Sequence, residues 1–240
     1  EPKKEEPKKE EAKKEEAKKE EPKKEEAKKE EPKKEEPKKE EAKKEEAKTD
    51  VKAEANASGK KVKLTFHVMS QCPFGTQVMN GISPVLKKMG NFVDFRLEYI
   101  GNVDGDKLTS MHGDAEVKGN IIQMCAQKHL AEGYKYFGIL DCMNKNMRAI
   151  PGNWEECAKT AGFEAEIPKL KECYEGAEGQ GLLKASYEFS KTAGARGSPT
   201  MFLNDEPYRG GRAENDYMRS LCQAMGEGDR PKLCSDIPPP

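Results

Sequence analysis

Alternation of apolar and polar positions predicts how the folded part of the chain begins. Residues 62–68 alternate and are rich in Val, Leu, Thr and Phe, a pattern typical of a strand. Apolar positions then recur with helical spacing over about 73–88, which predicts a helix directly after this strand. A second strand is predicted at 92–100, followed by a long polar loop at 101–113. Strand–helix–strand order implies a parallel strand pair with a right-handed crossover.

The rest of the folded part predicts a block of helices and then a closing hairpin and helix. The predicted helices are 116–130, 134–147, 154–161, 167–174 and 182–192, separated by Gly and Pro. After residues 197–199 the pattern predicts short strands at 200–204 and 206–208, then a helix at 213–225. This order predicts an α/β protein with a thioredoxin-like fold (βαβ … ββα) and an all-helical insertion at about 114–193.

The N-terminal part of the chain shows neither the helical nor the strand period of apolar residues. Residues 1–45 repeat the unit Glu-(Pro or Ala)-Lys-Lys-Glu, and a period of five matches neither a helix nor a strand. Since no large apolar side chain is available for burial, we expect a disordered low-complexity tail or linker at 1–58 and one domain at 59–240. The tail is interpreted as a solvated spacer, or as a tether that holds the domain away from a surface. A polyanion-binding arm is disfavoured, because the charges are evenly mixed.

Charge and hydropathy exclude several classes of partner. The formal net charge is −1, and the charges of the folded part nearly cancel, so we expect no nucleic-acid partner. No run of 18 apolar residues is present, so no transmembrane segment is predicted. No signal peptide is visible, but the chain begins with Glu, and we expect a processed or trimmed product.

Seven cysteines all lie in the folded part, and six of them have no close C-x-x-C pairing. These six are Cys125, Cys142, Cys157, Cys173, Cys222 and Cys234. Their even number favours three disulfides in an oxidising compartment, although buried reduced thiols are the alternative. The best single pair is Cys222 with Cys234, which would fix the tail to the last helix and stabilise by about 3 kcal/mol. Spacing does not determine the other pairings.

The seventh cysteine, Cys72, stands between the first strand and the first helix. With Cys72 as the helix cap, Pro73 occupies the first helical position, where its missing N–H costs nothing. The helix N-terminus would then favour the thiolate, which is the nucleophilic form. A buried, inert cysteine is the alternative, but the flanking Ser70, Gln71 and Gly75 favour an exposed loop.

Ser198-Pro199 is the second candidate for chemistry. An X-Pro bond just before a late core strand of this fold is the usual place for a cis peptide. There it would lie beside Cys72 and offer backbone groups of Ser198 to a substrate strand. An ordinary trans Pro that opens a strand is the alternative.

Residues near Cys72 include side chains that can bind copper. His67, Met69 and Cys72 together offer suitable ligand types. His67, however, alternates with Phe66 and Val68 as an ordinary strand residue does. We therefore expect no metal.

With these residues in place, the chain resembles the gamma-interferon-inducible lysosomal thiol reductase (GILT) family and, more distantly, DsbA-like proteins. The resemblance covers about 62–234. It rests on the order of Cys72, His112-Gly113, Gly119-Asn120, Cys125, Cys142, Cys157, Cys173, Ser198-Pro199, Cys222 and Cys234. Three departures matter. Gly75 stands where the family has its second active-site cysteine. Ser110 and Val117 stand where two cysteines occur in the family's middle motif, which corresponds to residues 110–120 here, and the absence of both is what a deleted disulfide would produce.

The resemblance implies a mechanism that Gly75 modifies. In the family the first cysteine attacks a substrate disulfide and the second resolves the mixed disulfide. Here Cys72 would attack, and an external thiol such as glutathione would release it, with no other cofactor. We expect an exported enzyme acting on a disulfide-containing protein or small molecule. The alternatives are a non-catalytic peptide-binding module and a peroxide sensor that passes through sulfenic acid. Substrate, direction of electron flow and oligomeric state stay open.

Overall fold

The structure, a computed structural model, describes residues 54–239. The tail predicted at 1–58 lies outside the described residues except for its end. Within 54–239, no helix has both the length and the apolar character needed to cross a membrane.

Six strands form two sheets in the described part of the chain. They are β1 (Val62–Val68), β2 (Val93–Tyr99), β3 (Asn102–Asp104), β4 (Lys107–Thr109), β5 (Thr200–Leu203) and β6 (Glu206–Pro207). The main sheet has the order β2-β1-β5-β6, in which β1 and β2 are parallel and the other two pairs are antiparallel. β1 therefore lies inside the sheet, and its carboxyl end leads directly to Cys72.

The small second sheet corrects one prediction. The segment 101–113 was predicted to be a loop, but β3 and β4 pair there as an antiparallel hairpin. Three-residue strands are too short to show an alternating pattern. Gly105, at φ +59°, makes the turn between them, a conformation that favours glycine.

The described part of the chain also contains seven α-helices. They are α1 (Pro73–Met89), α2 (Asp114–His129), α3 (Phe137–Lys145), α4 (Trp154–Thr160), α5 (Ile167–Glu175), α6 (Ala177–Thr192) and α7 (Glu214–Ala224). Helix α6 begins five residues before the predicted start at 182, because glycines near its beginning hide the helical pattern. Helix α3 is shorter than predicted, since Gly133 and Tyr134 adopt positive φ just before it.

The main sheet is covered on both faces. On one face, the Phe66 ring of β1 packs against the Tyr217 ring of α7 at a centroid distance of 5.5 Å. On the other face, the His67 ring stacks on Phe189 of α6 and its Nδ1 is hydrogen bonded to Ser190 Oγ at 2.8 Å. Both Phe66 and His67 are fully buried. The alternation read from the sequence therefore reflects two buried faces, one apolar and one containing polar groups.

Three disulfides brace the helices. Cys125–Cys173 joins α2 to α5, Cys142–Cys157 joins α3 to α4, and Cys222–Cys234 joins α7 to the C-terminal segment. Cys72 is the one free cysteine, and it is buried. The structure thus contains the Cys222–Cys234 pair chosen from spacing and supplies the two pairings that spacing left open.

Candidate functional site

Cys72 is the N-cap residue of α1, with Pro73 at the first helical position. Its backbone is extended (φ −83°, ψ 123°), and its carbonyl accepts a hydrogen bond from Thr76 N at 2.9 Å. The sulfur therefore lies at the positive end of a 17-residue helix, which stabilises negative charge there. Only 8% of Cys72 is exposed.

The exposed loop expected around Cys72 is not what the structure shows. Ser70 is fully buried and Gly75 is also buried, while Gln71 is half-buried. The reason is that helix α2 packs directly on the segment that precedes Cys72. Small polar residues were interpreted as solvent-exposed, whereas here they permit close packing.

The cis peptide bond between Ser198 and Pro199 lies beside Cys72. Cys72 Sγ is 3.6 Å from the Ser198 carbonyl oxygen, and Ser198 Oγ accepts a hydrogen bond from Met69 N at 3.0 Å. Residues separated by 126 positions are thus brought together. A substrate sulfur that approaches Cys72 would meet the backbone of Ser198.

Position 75, where the resemblance places a second cysteine, is closed by its neighbours. A Cβ atom on Gly75 would lie 2.6 Å from Ser198 Oγ and 2.9 Å from the Met69 carbonyl oxygen. Real Cβ atoms do not approach other atoms this closely, so any side chain here requires a shift of the surroundings. The Met69 oxygen belongs to the backbone and yields less readily than a side chain.

Helix α2 holds the two residues directly before the nucleophile. Asn120 Oδ1 accepts from Ser70 N at 3.0 Å, and Glu116 Oε1 accepts from Gln71 N at 3.0 Å. Cys72 N donates to the Met69 carbonyl at 3.1 Å. The backbone N–H groups from Ser70 to Cys72 are therefore all paired, which fixes the approach to the sulfur.

The remaining residues of the middle motif lie against the same segment. A Cβ on Gly119 would be 2.6 Å from Ser70 Oγ, so glycine is needed for this close approach. Gly113 caps α2 at φ +88°, where a side chain would be strained. The His112 ring is 38% exposed, and its Nδ1 is 2.8 Å from Glu116 Oε1.

Glu116 is the residue of this site that sequence reasoning missed. It belongs to the middle motif but received no role, since nothing in the local pattern distinguishes it from a surface acid. Two signals were available. Glu116 stands four residues after His112, and it lies in the first turn of α2, where acids are favoured.

His67, considered above as a copper ligand, is a residue of β1. It is fully buried and paired with Ser190. Burial, and secondarily the nearby Arg96 charge, lower the pKa of His67 from 6.5 to about 4. Elsewhere in the described chain, His129, Cys173 and Glu178 converge, but the Cys173 sulfur is already bonded to Cys125.

These features define a thioredoxin-like protein with one free cysteine at a helix N-terminus beside a cis-proline. Residues 63–161 match the family model described as gamma interferon inducible lysosomal thiol reductase (GILT). The chain is similar to this family over that segment, and its strand order and helix placement are those of a thioredoxin-like fold.

Curated proteins and solved structures provide further similarities. A gamma-interferon-responsive lysosomal thiol protein of Arabidopsis thaliana is 26% identical over 198 residues, covering 75% of this chain and 78% of that protein. MdbA, a thiol-disulfide oxidoreductase from Corynebacterium diphtheriae, is 16% identical with a TM-score of 0.49, covering 71% of this chain and 87% of its own. A thioredoxin-like oxidoreductase from Silicibacter pomeroyi is 15% identical with a TM-score of 0.47, covering 70% and 89%. The fold assignment here rests on strand order and helix placement.

Proposed function

We propose that this protein is a thiol–disulfide oxidoreductase that works with one nucleophilic cysteine, Cys72. The observation that carries the proposal is the position of Cys72. It is the free cysteine at the N-terminus of α1, 3.6 Å from the Ser198 carbonyl, while the other six cysteines are paired with one another. This position combines a thiolate-stabilising helix end with a backbone that an extended substrate can pair with.

The reaction needs two equivalents of an external thiol of the glutathione class. The Cys72 thiolate attacks one sulfur of a substrate disulfide, forms a mixed disulfide and releases the other substrate sulfur as a thiolate. An external thiolate then attacks Cys72 Sγ and releases the second substrate sulfur. A second external thiolate attacks the external sulfur now bound to Cys72 and regenerates the Cys72 thiolate. The two released substrate thiolates take up the two protons that the external thiols lost, so two thiols become one disulfide as one substrate disulfide is reduced.

The closure of position 75 supports resolution by an external thiol. No cysteine lies three residues after Cys72, and the space that its Cβ would need is taken by Ser198 Oγ and the Met69 carbonyl. The mixed disulfide therefore has no intramolecular thiol to attack it from that side. No resident cofactor is part of this proposal.

The substrate we propose is a disulfide with an apolar neighbourhood, in a protein or a small molecule. Phe74 and Met111 are the large hydrophobic residues exposed in the described chain, at 62% and 75%. Phe74 lies two positions after Cys72. Met111 directly precedes His112, and His112 Nδ1 and Gln71 N both donate to Glu116 Oε1, so Met111 belongs to a segment held beside the approach to Cys72. Apolar groups of a substrate can pack on both.

We also propose an exported location in an oxidising compartment. Three disulfides in one domain are typical of such compartments. The repeat tail would then act as the spacer or tether predicted from its sequence.

The experiment is disulfide reduction assayed with a glutathione supply, comparing the protein with Cys72→Ser. We expect the substitution to abolish turnover. As a control, the double variant Cys222→Ser, Cys234→Ser removes sulfur far along the chain from Cys72 and should retain turnover under conditions where it stays folded. If Cys72→Ser reduces the substrate at the unsubstituted rate, the proposal is wrong.

A peptide-binding module without catalysis is the second candidate. The low exposure of Cys72, 8%, together with the closed position 75, favours it. This alternative requires affinity for an extended peptide to be unchanged in Cys72→Ser while the unsubstituted protein shows no turnover. The same pair of proteins therefore decides between the two functions.

A further inference from the structure

Glu116 is a fully buried carboxylate with four hydrogen-bond donors around it. Oε1 accepts from Gln71 N at 3.0 Å and from His112 Nδ1 at 2.8 Å. Oε2 accepts from Ser110 Oγ at 2.7 Å and from His112 N at 3.1 Å. Its relative exposure is 0%. Removing a charged group from water is costly, and only such complete pairing offsets that cost.

The donors come from two separate segments. Gln71 belongs to the turn between β1 and α1, next to the nucleophile, while Ser110 and His112 belong to the segment that leads from β4 into α2. The backbone of Glu116 also accepts from Ser70 Oγ at 3.3 Å. One side chain therefore ties the approach to Cys72 to the segment carrying the exposed Met111.

Ser110, one of the donors to Glu116, stands at a position where the resemblance places a cysteine. Ser110 and Val117 stand where the family resemblance has two cysteines. Ser110 Oγ instead donates to Glu116 Oε2, one residue before Val117 on the same helix turn. In this chain a hydrogen bond from Ser110 to the Glu116 carboxylate thus joins the segment before α2 to the first turn of α2, the two segments that a disulfide between positions 110 and 117 would join.

We propose that Glu116 is a positioning residue for the reaction of Cys72, a role that rests on the function proposed above. Its Oε1 atom fixes the Gln71 amide and the His112 ring at once, so the nucleophile and the imidazole keep one relative arrangement. His112 Nε2 has no hydrogen-bond partner within residues 54–239, and the ring is 38% exposed. A substrate or an external thiol can therefore reach the ring while Glu116 holds it.

The test is Glu116→Gln, which keeps the shape but replaces one acceptor oxygen with a donor NH₂ group. The amide can then accept from only one of the two pairs of donors. We expect kcat for disulfide exchange to fall by about ten- to a hundred-fold with KM nearly unchanged, because misplacement acts on the reacting geometry. Amide hydrogen exchange over residues 69–73 should become faster as the Gln71 anchor is lost.

Glu98→Gln is the matched control. Glu98 is also a buried carboxylate, 3% exposed, but it lies within β2 and its partner is Arg96. We expect this variant to lose stability while kcat and the hydrogen exchange of 69–73 stay as in the unsubstituted protein. If Glu116→Gln loses no more kcat than Glu98→Gln, Glu116 has only a structural role and the inference is overturned.

Two further measurements test the role of Glu116 if the protein shows no exchange activity or if Glu116→Gln does not fold. If the unsubstituted protein shows no exchange activity, the proposed function fails, and hydrogen exchange of 69–73 still decides whether Glu116 positions this segment. If Glu116→Gln does not fold, His112→Ala replaces it, since it removes the ring that shares Oε1 with Gln71 N. A fall in kcat with KM retained supports the inference, and an unchanged kcat overturns it.

Discussion

At the scale of single residues, Ser198 and Met69 pack against Gly75 so closely that no space is left for a side chain at position 75. Ser198 Oγ lies where a side chain at position 75 would begin, and it holds Met69 N at the same time. The glycine at position 75 is therefore more than the absence of a sulfur atom. The surroundings have a shape that fits glycine.

Gly75→Cys tests this fit. We expect the free energy of unfolding to fall by about 1–3 kcal/mol, as for other overpacked sites, and no turnover to appear without external thiol. Chemical denaturation and a glutathione-free reduction assay measure the two effects. Gly75→Ala is the control, because it adds the Cβ without the thiol and should show a similar loss of stability. Full stability together with glutathione-free turnover in Gly75→Cys would contradict the close packing described here.

His67 gives a prediction about pH. Burial lowers the pKa of His67 to about 4 in the folded state from 6.5, so the folded protein disfavours the charged ring. This contribution to stability is fully present above about pH 6.5 and is lost as the pH falls towards 4, amounting to roughly 3 kcal/mol. Urea unfolding of the protein and of His67→Gln at pH 7 and pH 4.5 measures it. The difference in stability between the two proteins should shrink on acidification, and a constant difference would contradict the pKa shift.

At the scale of elements, the sequence predicts long periodic segments well and short or glycine-containing ones poorly. β1 and α1 were predicted almost to the residue, because their apolar periods are long and Pro73 marks the helix start. The hairpin of β3 and β4 was missed, since three residues carry no measurable period. The early start of α6 was missed for a related reason, as Gly179 and Gly181 lack the side chains that would show a buried face.

Two disulfides of different loop length connect the helices α2 to α5. Cys125–Cys173 closes a loop of 48 residues and Cys142–Cys157 one of 15. On the chain-entropy model, replacing the first pair by Ser should cost about 4 kcal/mol and replacing the second about 3 kcal/mol. Urea unfolding of the two double variants measures these losses. A longer loop that costs less than the shorter one would contradict the entropic account for this domain.

At the scale of the whole molecule, the site joins segments that are distant in sequence. Cys72 comes from the turn after β1, Glu116 from the start of α2, and Ser198 from the segment before β5. The meeting of Cys72 and Ser198 could be predicted, because the strand order alone brings the two ends to the same edge. The role of Glu116 could not, because it depends on how α2 packs on that edge, and no local pattern encodes this packing.

Under the proposed function, Cys72 is the reactive cysteine although it is buried. The other six cysteines are held in disulfides across helix pairs and the C-terminal segment, so reactivity is left to Cys72. Its neighbours are the helix N-terminus, the Ser198 carbonyl and a backbone fixed by α2. Together these groups limit the directions from which a substrate disulfide can reach the Cys72 sulfur.

The most direct test of single-cysteine chemistry is to incubate the unreduced protein with oxidised glutathione and identify the product by mass spectrometry of its peptides. We expect one glutathionyl group per chain, bound at Cys72, removed again by reduced glutathione and absent in Cys72→Ser. A protein that acquires no glutathionyl group, or acquires it at the paired cysteines while Cys72 stays free, would contradict the account.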